Sequence, residues 1–275
     1  MFKLAARNPD SHKGDYGKVL IIAGSKGMAG AAALCAKGAL RSGSGLVQMS
    51  VPSDILSVVQ TAVLEATCIS KECIISRIEK YDAIAFGPGL GNNEEDFLLL
   101  KEILEKYNKI IVIDADGLNM LSKDNRLQLL KNSKAKVIIT PHMGEAMRLL
   151  HLKEKTNDNL NREEIARELN KLSDAIVVLK GNHTVVFDGK EIWINKNGNP
   201  GMSTGGTGDV LTGIIVSLCG QGYEPQMAAK TGVYVHGLAG DLAKEDLGEH
   251  GLIAGDICYY TAKALQIMVR GQVSK

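Results

Sequence analysis

The chain has 275 residues, of which 45% are hydrophobic, and its 32 basic and 31 acidic residues give a formal net charge of +1. This composition fits a globular protein with a sizeable core, and we expect residues 1–275 to form one domain. The balanced charge and the aromatic content of only 4% argue against nucleic acid and anionic membranes as partners.

The five cysteines are scattered, odd in number and without zinc-ligand spacing. Cys35, Cys219 and Cys258 fall within apolar helical patterns and are predicted to be buried thiols, which is typical of the reducing cytoplasm. The first 18 residues lack the apolar core of a signal peptide, and no apolar run is long enough to cross a membrane.

Short apolar runs rich in β-branched residues are predicted to be strands, and helical patterns separate most of them. Continuous apolar strands that alternate with helices are typical of an α/β fold, in which a mostly parallel central sheet has helices on both faces. The predicted strands are 19–23, 46–51, 83–86, 110–113, 137–140 and 175–179, and the helices between them are 29–40, 96–107 and 161–172.

The last part of the chain follows a different pattern. Residues 184–194 are predicted to form an antiparallel edge hairpin with Asp188-Gly189 as a type I′ turn. The polar stretch 153–164 is predicted to be a surface loop that enters a helix. After residue 205 almost everything is predicted to be helical, over 207–220, 225–244 and 254–269.

The glycines that follow the first strand do not form a known phosphate-binding fingerprint. Residues 24–30 read GSKGMAG, a GxxGxxG spacing rather than GxGxxG, and the chain contains no GxxxxGK[ST] sequence. These glycines are better explained as a turn that lets a substrate approach the sheet.

Polar and glycine residues end four further strands. The loop Gly87–Gly91 includes Gly89 and lies at the carboxyl edge, where open α/β folds bind ligands. Asp114 and Asp116 could orient a hydroxyl or a hydrated cation, although Asp116 could also cap a short helix. His142 also ends a strand, which disfavours a buried structural role, and Glu145 could be a first-turn helix acid.

Lys180 and Gly181 end another strand, where a cation could neutralise a phosphate and glycine would allow close backbone approach. Alone, the segment 180–184 reads equally as an ordinary tight turn. The five strand ends would nevertheless meet along one edge of a parallel sheet, which favours a site.

The run 199–220 gives the most specific signal, because glycines open a helix and lead into Asp209. The backbone N–H groups of Gly205, Gly206, Thr207 and Gly208 are expected to form an anion hole at the helix N-terminus. An aspartate there would repel a bound phosphate, but it could accept the proton of a hydroxyl that attacks it. The alternative is a helix-capping role.

Two histidines have weaker assignments. His12 is expected in a loop near the site. His236 lies among small residues of a helix, HGLAG, and a structural role is favoured over a catalytic one.

These motifs together resemble the ADP-dependent NAD(P)H-hydrate dehydratases. The resemblance covers nearly the whole chain and rests on HKGDYGK, GPGLG, DADGLN, TPHMGEAMRLL, VVLKGNHTVV and GMSTGGTGDVLTG. It implies a ribokinase-like three-layer sandwich. It also implies a lyase that converts the S form of hydrated NADH or NADPH back to the reduced nucleotide, with release of AMP and phosphate.

The same resemblance implies residue roles. Asp209 would be the catalytic base, and Ala39, Gly89, Gly91, His142 and Asp209 would contact the hydrated dinucleotide. The ADP contacts would be Lys180, Gly181, Asn182, His183, Thr184 and Gly208.

Other family properties follow by the same resemblance: use of Mg²⁺ with no metal cage visible in the sequence, a homotetramer, and a separate NAD(P)H-hydrate epimerase as pathway partner. A ribokinase-like kinase that phosphorylates a small alcohol, such as a vitamin precursor, is the alternative, since it shares the GTGD motif. HKGDYGK, GPGLG and TPHMGE favour the dehydratase.

Overall fold

The computed structural model describes residue 4 and residues 6–152 and 161–271, so residues 153–160 of the predicted polar loop lie outside the described part. Within that part, one sheet has the strand order β3-β2-β1-β4-β5-β6-β7-β8-β9. Neighbouring strands are parallel from β3 to β7, whereas β8 and β9 are antiparallel. The strands are β1 Lys18–Ile22, β2 Leu46–Ser50, β3 Thr67–Cys68, β4 Ala83–Phe86, β5 Ile110–Ile113, β6 Lys136–Ile139, β7 Ile176–Leu179, β8 Val185–Phe187 and β9 Ile192–Ile194.

Helices cover both faces of the sheet. One face carries α1, α2, α8, α9 and α10, and the other carries α3 to α7. None of these helices has the length and apolarity that a membrane-spanning segment needs. The helices are α1 Ala29–Arg41, α2 Leu56–Ala62, α3 Ile74–Arg77, α4 Glu94–Lys106, α5 Asp116–Leu121, α6 Met143–Leu149, α7 Arg162–Ser173, α8 Thr207–Gly220, α9 Pro225–Leu247 and α10 Ala254–Arg270.

The continuous apolar strands are explained by burial on both sides. In β1, Val19 and Ile21 belong to the core under α1 and α8, while Leu20 and Ile22 belong to the core on the opposite face. Successive strand side chains point to opposite faces, so a strand between two helical layers needs apolar residues at every position. The predicted three-layer α/β architecture is therefore confirmed.

The sequence prediction located the longer strands and helices with small errors at their ends, but it did not include the short helices α2 and α3. The two-residue edge strand β3 was not predicted. The hairpin exists, but its turn is a four-residue loop, 188–191, in which Asp188 Oδ1 accepts hydrogen bonds from the backbone N–H groups of Lys190 and Glu191. A type I′ turn needs positive φ at both central residues, whereas only Gly189 of this loop has one. The type I′ assignment was wrong.

Close packing of α1 against α8 fixes the position of the predicted anion hole. A Cβ atom at Gly213 of α8 would lie 2.1 Å from the Cys35 carbonyl oxygen and 2.9 Å from the Ala39 nitrogen, and one at Gly38 would lie 2.6 Å from the Val210 oxygen. Glycine at both helices lets the backbones touch, and the N-terminus of α8 is held over the sheet edge as a result.

We expect Gly213→Ala to lower the free energy of unfolding by about 1–3 kcal/mol, because backbone atoms must move to admit the methyl group. Urea unfolding followed by circular dichroism measures this change. The matched control is Gly255→Ala in α10, where the new Cβ atom would meet only Ile253 Cδ1 at 3.8 Å. Equal stability of the two variants would contradict tight α1–α8 packing.

Candidate functional site

Loops after five parallel strands meet at the carboxyl edge of the sheet, as predicted. Backbone and side-chain hydrogen bonds join them: Gly24 N donates to Pro88 O at 2.8 Å, and Gly91 N donates to Asp116 Oδ2 at 2.8 Å. Thr140 N donates to Ile113 O at 3.1 Å, which joins the ends of β5 and β6, and Lys180 N donates to Pro141 O at 2.8 Å, which joins the ends of β6 and β7. The five segments therefore form one connected rim.

The turn after β4 requires glycine. Gly87 has φ +124°, and a Cβ atom there would lie 1.9 Å from the carbonyl oxygen of Asp114. On the neighbouring strand end, Ala115 has φ +48° and ψ −115°, a conformation that is unfavourable for a residue with a Cβ atom. Such strain is typical of functional sites, and here it lies directly beside Asp114.

A buried ion pair lies at the centre of the rim. Lys180 Nζ donates to Asp114 Oδ1 at 2.5 Å, and Thr212 Oγ1 of α8 donates to Asp114 Oδ2 at 2.6 Å. Asp114 is 1% exposed. Burial alone would lower the pKa of Lys180, but Asp114 and Glu145 raise it, so that the net shift is upward and the ammonium stays charged. Both oxygens of Asp114 are engaged, which leaves Asp114 as the anchor of Lys180.

Helix α6 begins with a reciprocal cap. The backbone N–H of His142 donates to Glu145 Oε2 at 2.7 Å, and His142 Nδ1 accepts from the backbone N–H of Glu145 at 3.3 Å. Glu145 is buried, and its Oε2 lies 3.7 Å from Lys180 Nζ. Burial raises the pKa of Glu145, and Lys180 opposes that rise. Glu145 is therefore more than the first-turn helix acid that the sequence indicated, since it also contacts the central cation.

The N-terminus of α8 faces this cation. Its N-cap, Gly206, has φ +93° and makes no side-chain capping bond. A Cβ atom at Gly208 would lie 3.4 Å from Lys180 Nζ and 3.9 Å from Asp114 Oδ2. First-turn N–H groups and an ammonium group thus converge, which is the arrangement that binds phosphate.

Asp209 is surrounded by other carboxylates. Burial and the neighbouring charge of Asp114 raise its pKa to about 7, although Lys180 opposes the rise. A carboxylate with a pKa near 7 is a far better proton acceptor at neutral pH than one with an ordinary pKa. The structure thus gives Asp209 the electrostatics of a general base.

This raised pKa has a consequence for stability. A group that holds its proton more tightly in the folded state stabilises the fold at low pH and loses that contribution as pH rises through the folded pKa. We therefore expect Asp209→Asn to raise the Tm at pH 8, by an amount equivalent to at most ~4 kcal/mol, and to raise it less at pH 4.5. Differential scanning fluorimetry at the two pH values measures this, and a lower Tm at pH 8 would contradict the raised pKa.

A cleft of about 600 Å³ opens beside the rim. All of the proposed ADP-contacting residues line it, namely Lys180, Gly181, Asn182, His183, Thr184 and Gly208. Gly206, Thr207 and His142 line it as well, whereas Gly205 and Asp209 do not. The residues assigned to the nucleotide and to the anion hole therefore share, with the exception of Gly205, one concave surface.

Of the residues assigned to the hydrated dinucleotide, only His142 lines this cleft. Gly91 lies on the rim, where it contacts Asp116. Gly89 is buried against Ala31 of α1, because a Cβ atom added to Gly89 would lie only 2.8 Å from the Cβ atom of Ala31. Ala39 is fully buried between α1 and α8. Its side chain packs against α8 and does not line the cleft, and its contact with the hydrated dinucleotide stays a prediction.

Two histidine assignments change. His12 lies beside the 3-10 turn Lys13–Tyr16, just before β1, and Gly17 contacts the carbonyl of Gly220 at the C-terminus of α8. His12 is therefore at the opposite edge of the sheet from the cleft, and its expected place near the site was wrong. His236 lines the cleft, and its Nε2 lies 2.9 Å from the carbonyl oxygen of Thr207.

Thr212 and Asp241 were not identified from the sequence. Thr212 lies one helical turn after Asp209 and so projects from nearly the same face of α8, a spacing that could have indicated it. Asp241 of α9 accepts hydrogen bonds from Gly198 N at 2.9 Å and Asn199 Nδ2 at 3.0 Å, which fixes the loop that forms one wall of the cleft. No local sequence signal points to Asp241.

A metal ion would have few protein ligands at this site. Across residues 6–152 and 161–271 no group of three His, Cys, Asp or Glu side chains could hold one. Mg²⁺ bound to a nucleotide keeps most of its waters and needs only one or two carboxylates in addition to phosphate oxygens. The donor set fits an ion carried by phosphates rather than a cage of protein ligands.

Taken together, a base, a cation and a helix N-terminus can activate a hydroxyl and stabilise a phosphoryl group in transfer. The chain as a whole is similar to several known proteins. A family model described as NAD(P)H-hydrate dehydratase matches residues 19–261. An ADP-dependent (S)-NAD(P)H-hydrate dehydratase from Neisseria meningitidis is 37% identical over 92% of this chain and 86% of its own length.

A bifunctional NAD(P)H-hydrate repair enzyme from Moorella thermoacetica is 38% identical over 93% of this chain and 50% of its own length. The chain spans about half the length of the bifunctional relatives that it matches. The crystal structure of an ADP/ATP-dependent NAD(P)H-hydrate dehydratase from Bacillus subtilis, co-crystallised with ATP/Mg²⁺, superposes with a TM-score of 0.85. It is 32% identical and covers 97% of this chain and 95% of its own. A hydroxyethylthiazole kinase from Pyrococcus horikoshii shares the fold, at a TM-score of 0.66 and 17% identity.

Proposed function

Because the chain belongs to the NAD(P)H-hydrate dehydratase family, we propose that it uses ADP to dehydrate the S form of hydrated NADH or NADPH, with release of AMP and phosphate. The observation that carries this proposal is the position of Asp209 in the first turn of α8, with a pKa raised to about 7, beside the cleft that holds Lys180 and Gly208.

The proposed reaction has two stages. Asp209 accepts the proton of the C6 hydroxyl, and the oxygen attacks the β-phosphorus of ADP while the bond to the bridging oxygen breaks and AMP leaves. The phosphorylated C6 then loses phosphate, because the ring nitrogen donates its lone pair and phosphate is a far better leaving group than hydroxide. Loss of a proton from C5 restores the reduced nicotinamide ring.

The cleft residues divide between the two substrates. Lys180 would bind the phosphates of ADP in the ground state and in the transition state alike. The N–H groups of Gly206 to Gly208 would bind the phosphoryl group in transfer, and the transition state would gain most from them because they are already oriented. Residues 181–184 would contact the rest of the nucleotide. Gly91 and His142 lie on the side of the rim that remains for the hydrated ring. Mg²⁺ would enter with the phosphates and neutralise part of their charge, with Asp209 and Glu145 as the nearby carboxylates.

Three properties complete the proposal. An NAD(P)H-hydrate epimerase would supply the S form. Relatives of about twice the length of this chain are bifunctional NAD(P)H-hydrate repair enzymes, which is consistent with a second repair activity beside this one. The protein would be a homotetramer, which multi-angle light scattering measures directly. The five cysteines are all free, and the three buried ones, Cys35, Cys219 and Cys258, suit a reducing, cytoplasmic environment.

Product analysis separates this function from that of an alcohol kinase. The protein is incubated with Mg²⁺, ADP or ATP, and either hydrated NADH or a thiazole or pyrimidine alcohol, and the products are followed by ³¹P NMR. We expect AMP and inorganic phosphate only with ADP and hydrated NADH. A stable phosphate ester of a vitamin precursor would instead identify a kinase.

A further inference from the structure

His236 is the ionisable cleft residue that the proposed reaction does not use. It lies in the middle of α9, lines the cleft, and is partly buried. Its Nε2 is 2.9 Å from the carbonyl oxygen of Thr207, the first residue of α8. A carbonyl oxygen can only accept, so the ring must donate through Nε2–H. Burial lowers the pKa of His236 to about 4, which keeps the imidazole neutral near pH 7.

The bonded carbonyl belongs to the peptide unit that carries the Gly208 N–H. A trans peptide is planar, and its C=O points opposite to the N–H that follows. Holding the oxygen of Thr207 therefore holds the direction of the Gly208 N–H, which has no partner within the helix and points out of its N-terminus. A hydrogen bond to the carbonyl also polarises the unit and makes that N–H a stronger donor.

Packing against α1 places the start of α8, but no side-chain cap fixes the direction of its first N–H groups. The N-cap is a glycine in the left-handed region, without a side-chain capping bond. Three glycines occur between residues 205 and 208, and glycine has the largest conformational freedom. A preorganised donor is effective only if its direction is fixed before the charge develops.

Helix α9 is itself well placed to act as a rigid support. A Cβ atom at Gly237 would lie 2.8 Å from the carbonyl oxygen of Asn197, so the helix backbone contacts the opposite wall of the cleft. One turn further, Asp241 fixes Gly198 and Asn199 of the same wall. Helix α9 therefore contacts the anion hole through His236 and the loop 197–199 through Gly237 and Asp241.

We propose that His236 is a positioning residue, which orients and polarises the Gly208 N–H of the anion hole through the Thr207 carbonyl. This inference deepens the proposed function and rests on it for its kinetic consequence. The effect of His236 on the Gly208 N–H can be measured without any enzymatic activity, so the role of His236 and the proposed function can be refuted independently.

The test combines amide NMR with kinetics. Labelling threonine carbonyls with ¹³C and glycine amides with ¹⁵N selects only four Thr-Gly pairs: 204–205, 207–208, 212–213 and 231–232. Thr207→Ser removes one of them and thereby identifies the Gly208 signal. His236→Ala is expected to shift that signal upfield and to leave the other three nearly unchanged. In His236→Gln the amide nitrogen reaches the place of Nε2 and restores the shift, whereas His236→Asn is too short.

Kinetics should follow the same order. We expect His236→Ala and His236→Asn to lower kcat at least ~10-fold with the KM for hydrated NADH unchanged, because a misdirected donor weakens only transition-state binding. His236→Gln should stay within about threefold of wild type. An unmoved Gly208 signal in His236→Ala, or a general shift of all four signals with a fall in Tm, would overturn the proposal. A wild-type protein without dehydratase activity would refute the proposed function, while the NMR comparison would still decide the role of His236.

Discussion

Asp209→Asn is expected to lower kcat by about 10²–10⁴-fold while the affinity for ADP stays within about threefold of wild type. The amide has nearly the same shape as the carboxylate but cannot accept the proton of the attacking hydroxyl. Initial rates with hydrated NADH and ADP measure kcat, and isothermal titration calorimetry measures the dissociation constant of ADP. The expected gain in Tm at pH 8 shows in the same sample that the fold is intact.

The matched control is Asp82→Asn. Asp82 is a partly buried aspartate at the opposite edge of the sheet, where it accepts from Lys18 N at 2.9 Å and binds Lys109 Nζ at 3.0 Å. Its substitution should leave kcat unchanged. The wild-type kcat should fall as pH drops below about 7 and level off above it, following the ionisation of Asp209. Near-normal turnover of Asp209→Asn, or a flat profile between pH 5 and 8, would refute the base role.

Lys180→Ala is expected to lower the free energy of unfolding by about 3–5 kcal/mol, because it leaves Asp114 buried without its cation and removes the charge that Glu145 faces. Urea unfolding measures the loss. Lys106→Ala removes an exposed ion pair of similar length, 2.7 Å to Glu102, and should change the stability by less than about 1 kcal/mol.

The double variant Lys180→Met with Asp114→Asn separates pairing from packing. Without the buried carboxylate, the loss of the ammonium group should be less damaging, and the double variant should be more stable than Lys180→Ala. In conditions where Lys180→Ala and the double variant are both folded, each should bind ADP more weakly than the wild type does, and this loss should be larger than the decrease in kcat. A Lys180→Ala protein with wild-type stability and unchanged ADP affinity would contradict both the ion pair and the assignment of Lys180 to the nucleotide.

The elements of the sheet could be predicted because their causes are local. A strand buried on both faces has to be apolar throughout. Glycine and polar residues at 87–91 and at 180–181 then show where two of these strands end. The edge strand Thr67–Cys68 escaped prediction because two residues carry no periodicity. The hairpin turn differs because Asp188 bonds to the backbone of Lys190 and Glu191, an option that the two-residue turn does not offer.

Contacts between distant residues are what the sequence could not supply. Asp114 and Lys180 are separated by 66 residues, and only the adjacency of β5, β6 and β7 brings them together. Ala39 lies in a segment typical of the family, but helical periodicity alone does not say which face of α1 meets α8. His236 was read as structural, and its position against Thr207 depends on the crossing of α8 and α9 rather than on either helix alone.

We propose that this site repairs a hydrated nicotinamide nucleotide and consumes ADP in doing so. The most direct measurement follows the absorbance of the reduced nicotinamide while the protein, Mg²⁺ and hydrated NADH are incubated with ADP, with ATP or with neither. We expect the absorbance to recover with ADP, with one AMP and one phosphate formed for each NADH, and to stay low with Asp209→Asn. No recovery with either nucleotide, under conditions in which ADP binds to the protein, would refute the proposed dehydratase function.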